Sequence, residues 1–161
     1  MTYKIDDIDA KILKVLQANC KVTGERLGQE VGLSVTACQR RVKLMEQAGV
    51  IERQVAVIDP RTVGRPLSMI LLVSLERERA DIIDEFQREM LATEEVMSAY
   101  YVTGETDFVV NVTARDMEDY DRFTRRFLYS NPNIKQFKTL VVLKRVKASF
   151  SIPVRVGSSP D

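Results

Sequence analysis

The sequence predicts an α+β protein of two domains, and three observations lead to this prediction. Up to about residue 48, apolar residues recur at spacings of three and four, which is the helical period. Beyond residue 66, short apolar runs of strand length alternate with two helical patterns. Between them, Pro60, Gly64 and Pro66 interrupt both patterns. We therefore expect domains at residues 1–58 and 67–148, a hinge at 59–66 and a C-terminal tail at 149–161.

The first two helices are predicted from their caps and their apolar faces. Asp6, with Asp9 three residues on, resembles a capping box, and Thr23 is suited to cap the next helix. The second helix has Leu27 and Val31 facing inward. The apolar face of the first helix consists of Ile8, Ile12, Leu13, Val15 and Leu16.

The third helix is the most informative part of the chain. Gly32 permits a sharp turn into it, and Ser34 is a good N-cap. Helix-turn-helix units often carry glycine in that turn. An inward stripe is predicted for Val35, Cys38, Val42 and Met45, and an outward row for Thr36, Gln39, Arg40 and Lys43. After Gly49, residues 50–58 alternate enough to predict a small β wing or strand.

The composition of this helix is typical of a DNA reader. Short polar side chains near the start of such a helix reach base edges, and the cations that follow hold phosphates. The alternative is a helical bundle with no nucleic-acid role. The predicted DNA-binding residues are Ser34, Thr36, Ala37, Gln39, Arg40, Arg41 and Lys43.

The C-terminal domain is predicted as β-α-β-β-α-β, the split order of ferredoxin-like domains. Strands are expected at residues 67–75, 96–103, 107–114 and 134–146, with a helix at 80–91. A second helix begins at Asp116 and stops at residues 131–133, with an inner stripe of Met117, Tyr120, Phe123 and Phe127. Several strands are apolar on both sides, so a second subunit is expected to cover the free sheet face.

Composition excludes several classes of protein. No apolar run approaches membrane-spanning length, and the first residues lack the apolar segment of a secretory signal, so a cytoplasmic protein is expected. Cys20 and Cys38 are widely spaced, and the chain has no histidine, which argues against a metal site. Both cysteines are expected to be small buried thiols, and the alternative is a disulfide or redox switch.

A loop between two predicted strands has the chemistry for a small zwitterion. Gly104 lets backbone N–H groups approach a ligand carboxylate, and Asp107 is suited to accept from a ligand ammonium. The alternative is a tight hairpin turn in which Asp107 bonds its own backbone. The predicted effector-binding residues are Thr103, Gly104, Glu105, Thr106, Asp107 and Thr139.

Several motifs in order resemble the Lrp/AsnC family of transcription factors. They lie at residues 5–13, 31–44, 49–51, 102–108 and 139–142, so the resemblance covers nearly the whole chain. The resemblance implies a winged helix-turn-helix joined by a hinge to an effector-binding and oligomerisation domain. It also implies homodimers that assemble to octamers, with an amino-acid-like effector bound between subunits. The expected function is a sequence-specific regulator whose partners are double-stranded DNA and this effector, with no cofactor.

Two other functions remain open. Some haem-biosynthesis decarboxylases resemble this family, but their acid chemistry is expected to need histidine, which this chain lacks. An enzyme is therefore not expected. The second is an architectural DNA-binding protein without an effector, against which the net charge of only +1 speaks mildly.

Overall fold

The computed structural model of the chain describes residues 3–77 and 79–155. The chain forms two compact units. The first joins residues 1–56 to the C-terminal segment that starts at Lys147, and the second runs from Val57 to Val146. Within the described ranges, no helix combines the length and the apolar character needed to cross a bilayer.

The first unit contains three short helices, and each starts at the predicted cap. They are α1 (Asp7–Ala18), α2 (Gly24–Val31) and α3 (Val35–Gln47). The Asp6 carboxylate accepts the backbone N–H of Asp9 at 2.8 Å, and the Asp9 carboxylate accepts that of Asp6 at 3.2 Å. The hydroxyls of Thr23 and Ser34 cap α2 and α3. These caps satisfy N–H groups that the first helical turn leaves free.

The helices enclose a small apolar core. Gly32 ends α2 with φ of 73°, a left-handed conformation that a side chain would disfavour. The prediction of two buried thiols was wrong for Cys20, which is exposed in the turn after α1. Val35 was expected on the inward stripe, but it lies in the first turn of α3 and is 36% exposed. The buried members of the core are Ile12, Leu13, Leu27, Val31, Cys38 and Met45.

The predicted wing is absent from the described chain. Residues 50–58 form no strand, and Val55, Val57 and Ile58 are exposed. An alternating segment becomes a strand only when its N–H and C=O groups find a neighbouring strand. Among the described residues of this chain, no strand lies beside residues 50–58.

The C-terminal segment packs against the first unit instead of forming a separate tail. The backbone of Ile152 exchanges two hydrogen bonds with the Gln17 side chain of α1. Val154 is half-buried against the helical core. The end of the predicted tail, residues 156–161, lies outside the described residues.

The second unit is a two-layer α/β arrangement. In chain order it comprises β1 (Leu67–Leu75), α4 (Ala80–Ala92), β2 (Val96–Tyr101), β3 (Phe108–Ala114), α5 (Met117–Thr124), a π-helical turn (Arg125–Tyr129) and β4 (Ile134–Val141). The strands pair antiparallel in the order β2-β3-β1-β4. The predicted ferredoxin-like order is confirmed.

One face of this sheet carries the core. Met69, Leu71, Val73 and Leu75 alternate along β1, and all four are buried. The aromatic rings of Phe86, Phe108 and Phe127 pack over them.

Two predictions for the second unit were wrong in detail. Met117 was expected on the inner stripe of α5, but it lies in the first turn and is exposed. The last strand ends at Val141 rather than Val146, because β1 begins at Leu67 and leaves later residues without a neighbour to pair with.

Candidate functional site

The outward row of α3 forms one polar, basic surface. Thr36, Gln39, Arg40 and Lys43 are all exposed. At about 100° per residue, these four positions lie within roughly 100° of one another around the helix. Such a strip is narrow enough to face a single groove of a duplex.

Two other predicted DNA-binding residues have structural roles as well. The Ser34 hydroxyl accepts the backbone N–H of Ala37 at 3.3 Å, so it is engaged as the cap of α3. The Ala37 side chain is half-buried beside it. Both stand at the start of the helix, where base-reading residues of helix-turn-helix proteins are found.

Arg41 was predicted with the DNA-binding residues, but the structure gives it another partner. Its Nη1 donates to an oxygen of Asp6 and to an oxygen of Asp9, each at 2.8 Å. Only a quarter of its side chain is exposed. Both carboxylates bind the Nη1 of Arg41, so this side chain has a structural role within the helical unit that the sequence did not predict. Its contact with DNA stays a prediction.

The same hydrogen bonds alter the ionisation of these groups. The backbone N–H of Asp9 lowers the pKa of the Asp6 carboxyl, and the Arg41 guanidinium lowers it further. Hydrogen bonds to Asp9 and Asp6 raise the pKa of Arg41. The Asp6 carboxyl and the Arg41 guanidinium are therefore both charged near neutral pH.

In the second unit, the predicted effector loop is fastened to β1. The Asp107 carboxylate accepts the backbone N–H of Leu75 at 2.6 Å, and the Thr106 hydroxyl donates to the carbonyl of Val73 at 2.8 Å. Gly104 has φ of 131°, which favours glycine. The loop is thus a well-anchored hairpin connection, in which Asp107 bonds the backbone of β1 rather than its own.

The anchoring leaves several groups of the loop available. Among the described residues, the backbone N–H groups of residues 103–106 find no acceptor, and one Asp107 oxygen has no donor. Thr103, Gly104 and Glu105 are exposed. The loop therefore presents unpaired donors beside a carboxylate.

Thr139 has a different environment from the loop. It lies on β4 opposite Leu71, and its hydroxyl shares a 2.5 Å hydrogen bond with the phenol of Tyr120. Burial raises the pKa of Tyr120. Sequence reasoning placed Tyr120 only in the core. The one available signal was a phenol on an apolar stripe, because a buried hydroxyl usually has a partner.

Across residues 3–77 and 79–155, no group of three or more histidine, cysteine or acidic side chains is arranged to hold an ion.

Family models match both units of the chain. A winged helix-turn-helix DNA-binding model matches residues 5–52, and the Lrp/AsnC ligand binding domain matches residues 68–152. The chain belongs to the Lrp/AsnC family of transcriptional regulators. It joins a helix-turn-helix DNA-binding domain to the ligand-binding domain of that family.

Relatives that align with most of this Lrp/AsnC regulator support the same family assignment. An HTH-type transcriptional regulator of Sinorhizobium fredii is 53% identical over 95% of this chain and 90% of its own. The leucine-responsive regulatory protein of Haemophilus influenzae is 35% identical over 89% and 86%. These relatives are transcriptional regulators rather than enzymes.

A solved structure of a related regulator has the same fold. A transcriptional regulator of Neisseria meningitidis, crystallised as a complex with L-Met, superposes with a TM-score of 0.87 at 33% identity. The match covers 93% of this chain and 97% of the other. The fold of this Lrp/AsnC regulator is therefore that of a two-domain family member.

Proposed function

We propose that this regulator reads a specific DNA duplex through the outward row of α3. The exposed strip of Thr36, Gln39, Arg40 and Lys43 on a helix-turn-helix is the observation that carries the proposal. Gln39 is suited to bond an adenine edge in the major groove, and Arg40 and Lys43 are suited to hold the flanking backbone. Ser34 and Ala37 lie where the helix start would meet the groove.

Replacement of Gln39 tests this proposal. A duplex selected by the wild-type protein from a random library serves as the specific site, and a scrambled duplex serves as random DNA. Gln39→Ala should weaken the specific site by about 1–3 kcal/mol and change random binding little. Gln47→Ala is the control, because Gln47 is an exposed glutamine in the last turn of the same helix. Equal loss on both duplexes would show that Gln39 does not read bases.

We further propose that the loop at residues 103–107 binds an amino-acid effector. Its unpaired N–H groups suit a ligand carboxylate, and the remaining Asp107 oxygen suits an ammonium. The family's ligand-binding domain spans this loop, and the Neisseria relative binds L-Met. Thr139 is a further proposed effector-binding residue, although its bond to Tyr120 would first need to open.

Thermal unfolding with each of the twenty amino acids tests this second proposal. A ligand that binds the folded state alone raises the unfolding temperature with concentration. Stabilisation by at least one amino acid is expected. Failure of all twenty, combined with sequence-independent binding to DNA, would favour an architectural protein instead.

Assembly completes the proposed function. The sheet face opposite the core carries Ile70, Leu72, Tyr100, Val109 and Leu140, with Tyr100 and Leu140 about half exposed. We propose that a second copy covers this face to form a homodimer, and that dimers assemble to octamers. The effector would then lie at a seam between subunits. Its binding would change DNA affinity by favouring one assembly over another.

A further inference from the structure

The Asp9 carboxylate is the centre of a polar cluster inside the first unit. One oxygen accepts from Arg41 of α3 at 2.8 Å. The other accepts the Tyr3 hydroxyl at 3.1 Å and the backbone N–H of Asp6 at 3.2 Å. The Asp6 carboxylate also accepts a hydrogen bond from Arg41 at 2.8 Å. The cluster therefore joins the segment before α1, the start of α1 and the middle of α3.

Because the cluster is buried, its pairing restricts the position of α3. Only 2% of the Asp9 side chain is exposed. A carboxylate removed from water is costly unless charged or hydrogen-bonded partners replace the water. Arg41 is the cation that does so here. If α3 rotated or slid by one residue, Arg41 would leave Asp9 unpaired, so such a displacement of the helix is penalised.

The position of Arg41 around α3 separates it from the outward row. Arg41 follows Thr36 by five residues, which places it about 140° around the helix from Thr36. It lies closer to the buried stripe of Cys38 and Met45. Arg41 is thus about 100° to 160° around the helix from the four members of the outward row.

We infer that Arg41 is a positioning residue, which fixes the rotation and register of α3 through Asp9 and Asp6 so that the outward row meets base edges. This inference rests on the proposed reading of DNA by α3. It assigns Arg41 to sequence discrimination without any contact to DNA. Affinity for backbone phosphates would then come from Arg40 and Lys43.

The test uses the full chain and two readouts. The first is the ratio of affinities for the selected and the scrambled duplex. The second is the slope of log affinity against log potassium chloride concentration, whose magnitude is about 0.9 for each phosphate that the protein neutralises. Arg41→Met should lower the ratio by about tenfold and leave the slope unchanged. Arg40→Met is the matched control, which should reduce the magnitude of the slope and leave the ratio nearly constant.

A second variant guards against loss of folding. Arg41→Met leaves Asp9 buried without its cation, whereas Asp9→Asn combined with Arg41→Met removes both charges. The double variant should fold, as measured by circular dichroism, and should show the same low ratio as the single variant. A merely structural role would reduce both affinities with the folded fraction and leave the ratio unchanged.

Each remaining outcome has a definite meaning. A reduced salt slope in Arg41→Met would show that Arg41 binds a phosphate and would overturn the inference. An unchanged ratio in the folded double variant would overturn it as well. A wild-type protein that selects no duplex would overturn the proposed function, and the inference with it.

Discussion

Asp107 and Leu75 are joined by a hydrogen bond of 2.6 Å, from the backbone N–H of Leu75 to the Asp107 carboxylate. The side chain that is proposed to bind an effector therefore also holds the loop to β1. Asp107→Ala should abolish the response to an amino acid. It should also cost about 1–3 kcal/mol of folding stability, because the half-buried N–H of Leu75 loses its acceptor. Urea unfolding and ligand titration of the same variant measure the two effects.

Asp107→Asn separates these roles. The amide oxygen can still accept from Leu75, but the charge that would attract an ammonium is gone. We expect near wild-type stability with no thermal shift from the effector. A normal ligand response in Asp107→Asn would place the effector away from this carboxylate.

The open sheet face gives a prediction about assembly. Light scattering at micromolar concentration should show the wild-type protein as a dimer or a multiple of one. Leu140→Glu should shift the protein towards monomer, because two copies of the face would bring carboxylates together in an apolar interface. Leu91→Glu is the control, since Leu91 lies on α4 and is 88% exposed. If Leu140→Glu left the mass unchanged, the dimer would use another surface.

Acid should weaken the first unit partly through Asp6. Its donors hold the folded-state pKa below the ordinary value of 3.8. The charged carboxylate therefore stabilises the fold above about pH 4, and this contribution is lost as pH falls through the lowered folded-state pKa. Asp6→Asn should reduce stability near neutral pH and flatten its decline in acid. Urea unfolding across a pH series measures both.

Asp7→Asn is the matched control for this prediction, because Asp7 is the exposed neighbour of Asp6. It should leave the acid dependence close to that of the wild-type protein. An equal flattening in both variants would mean that general charge repulsion, rather than the pairing of Asp6, sets the acid response.

The C-terminal segment should contribute to the stability of the helical unit. A chain that ends at residue 148 lacks the two Gln17–Ile152 hydrogen bonds and the packing of Val154. We expect a loss of about 1–3 kcal/mol. A chain that ends at Arg155 keeps these hydrogen bonds and this packing and should unfold like the full chain. Equal stability of the two truncations would show that the segment adds nothing.

Local features of the fold were predictable from sequence. The caps at Asp6, Thr23 and Ser34 act on N–H groups three residues away, so their residue types alone predicted where the helices begin. The alternating burial of β1 likewise follows from the two-residue period of a strand.

Pairings between residues distant in sequence were not predictable. Arg41 finds Asp9 at a separation of 32 residues, and Asp107 finds Leu75 at the same separation. A single sequence shows that these side chains are polar, but not which distant group they meet. The prediction of a wing at residues 50–58 was wrong for a related reason. An alternating pattern indicates a tendency to pair with a strand, but it does not show whether a partner strand is present.

The hydrogen bonds between Gln17 and Ile152 span 135 residues, and this has a consequence for synthesis of the protein. At typical translation rates, α1 leaves the ribosome roughly 10 s before Ile152 is made. During that interval the nascent helix-turn-helix lacks the support of its C-terminal segment, whether or not the second unit has already folded. The DNA-binding unit, although encoded first, therefore completes its folding among the last parts of the chain.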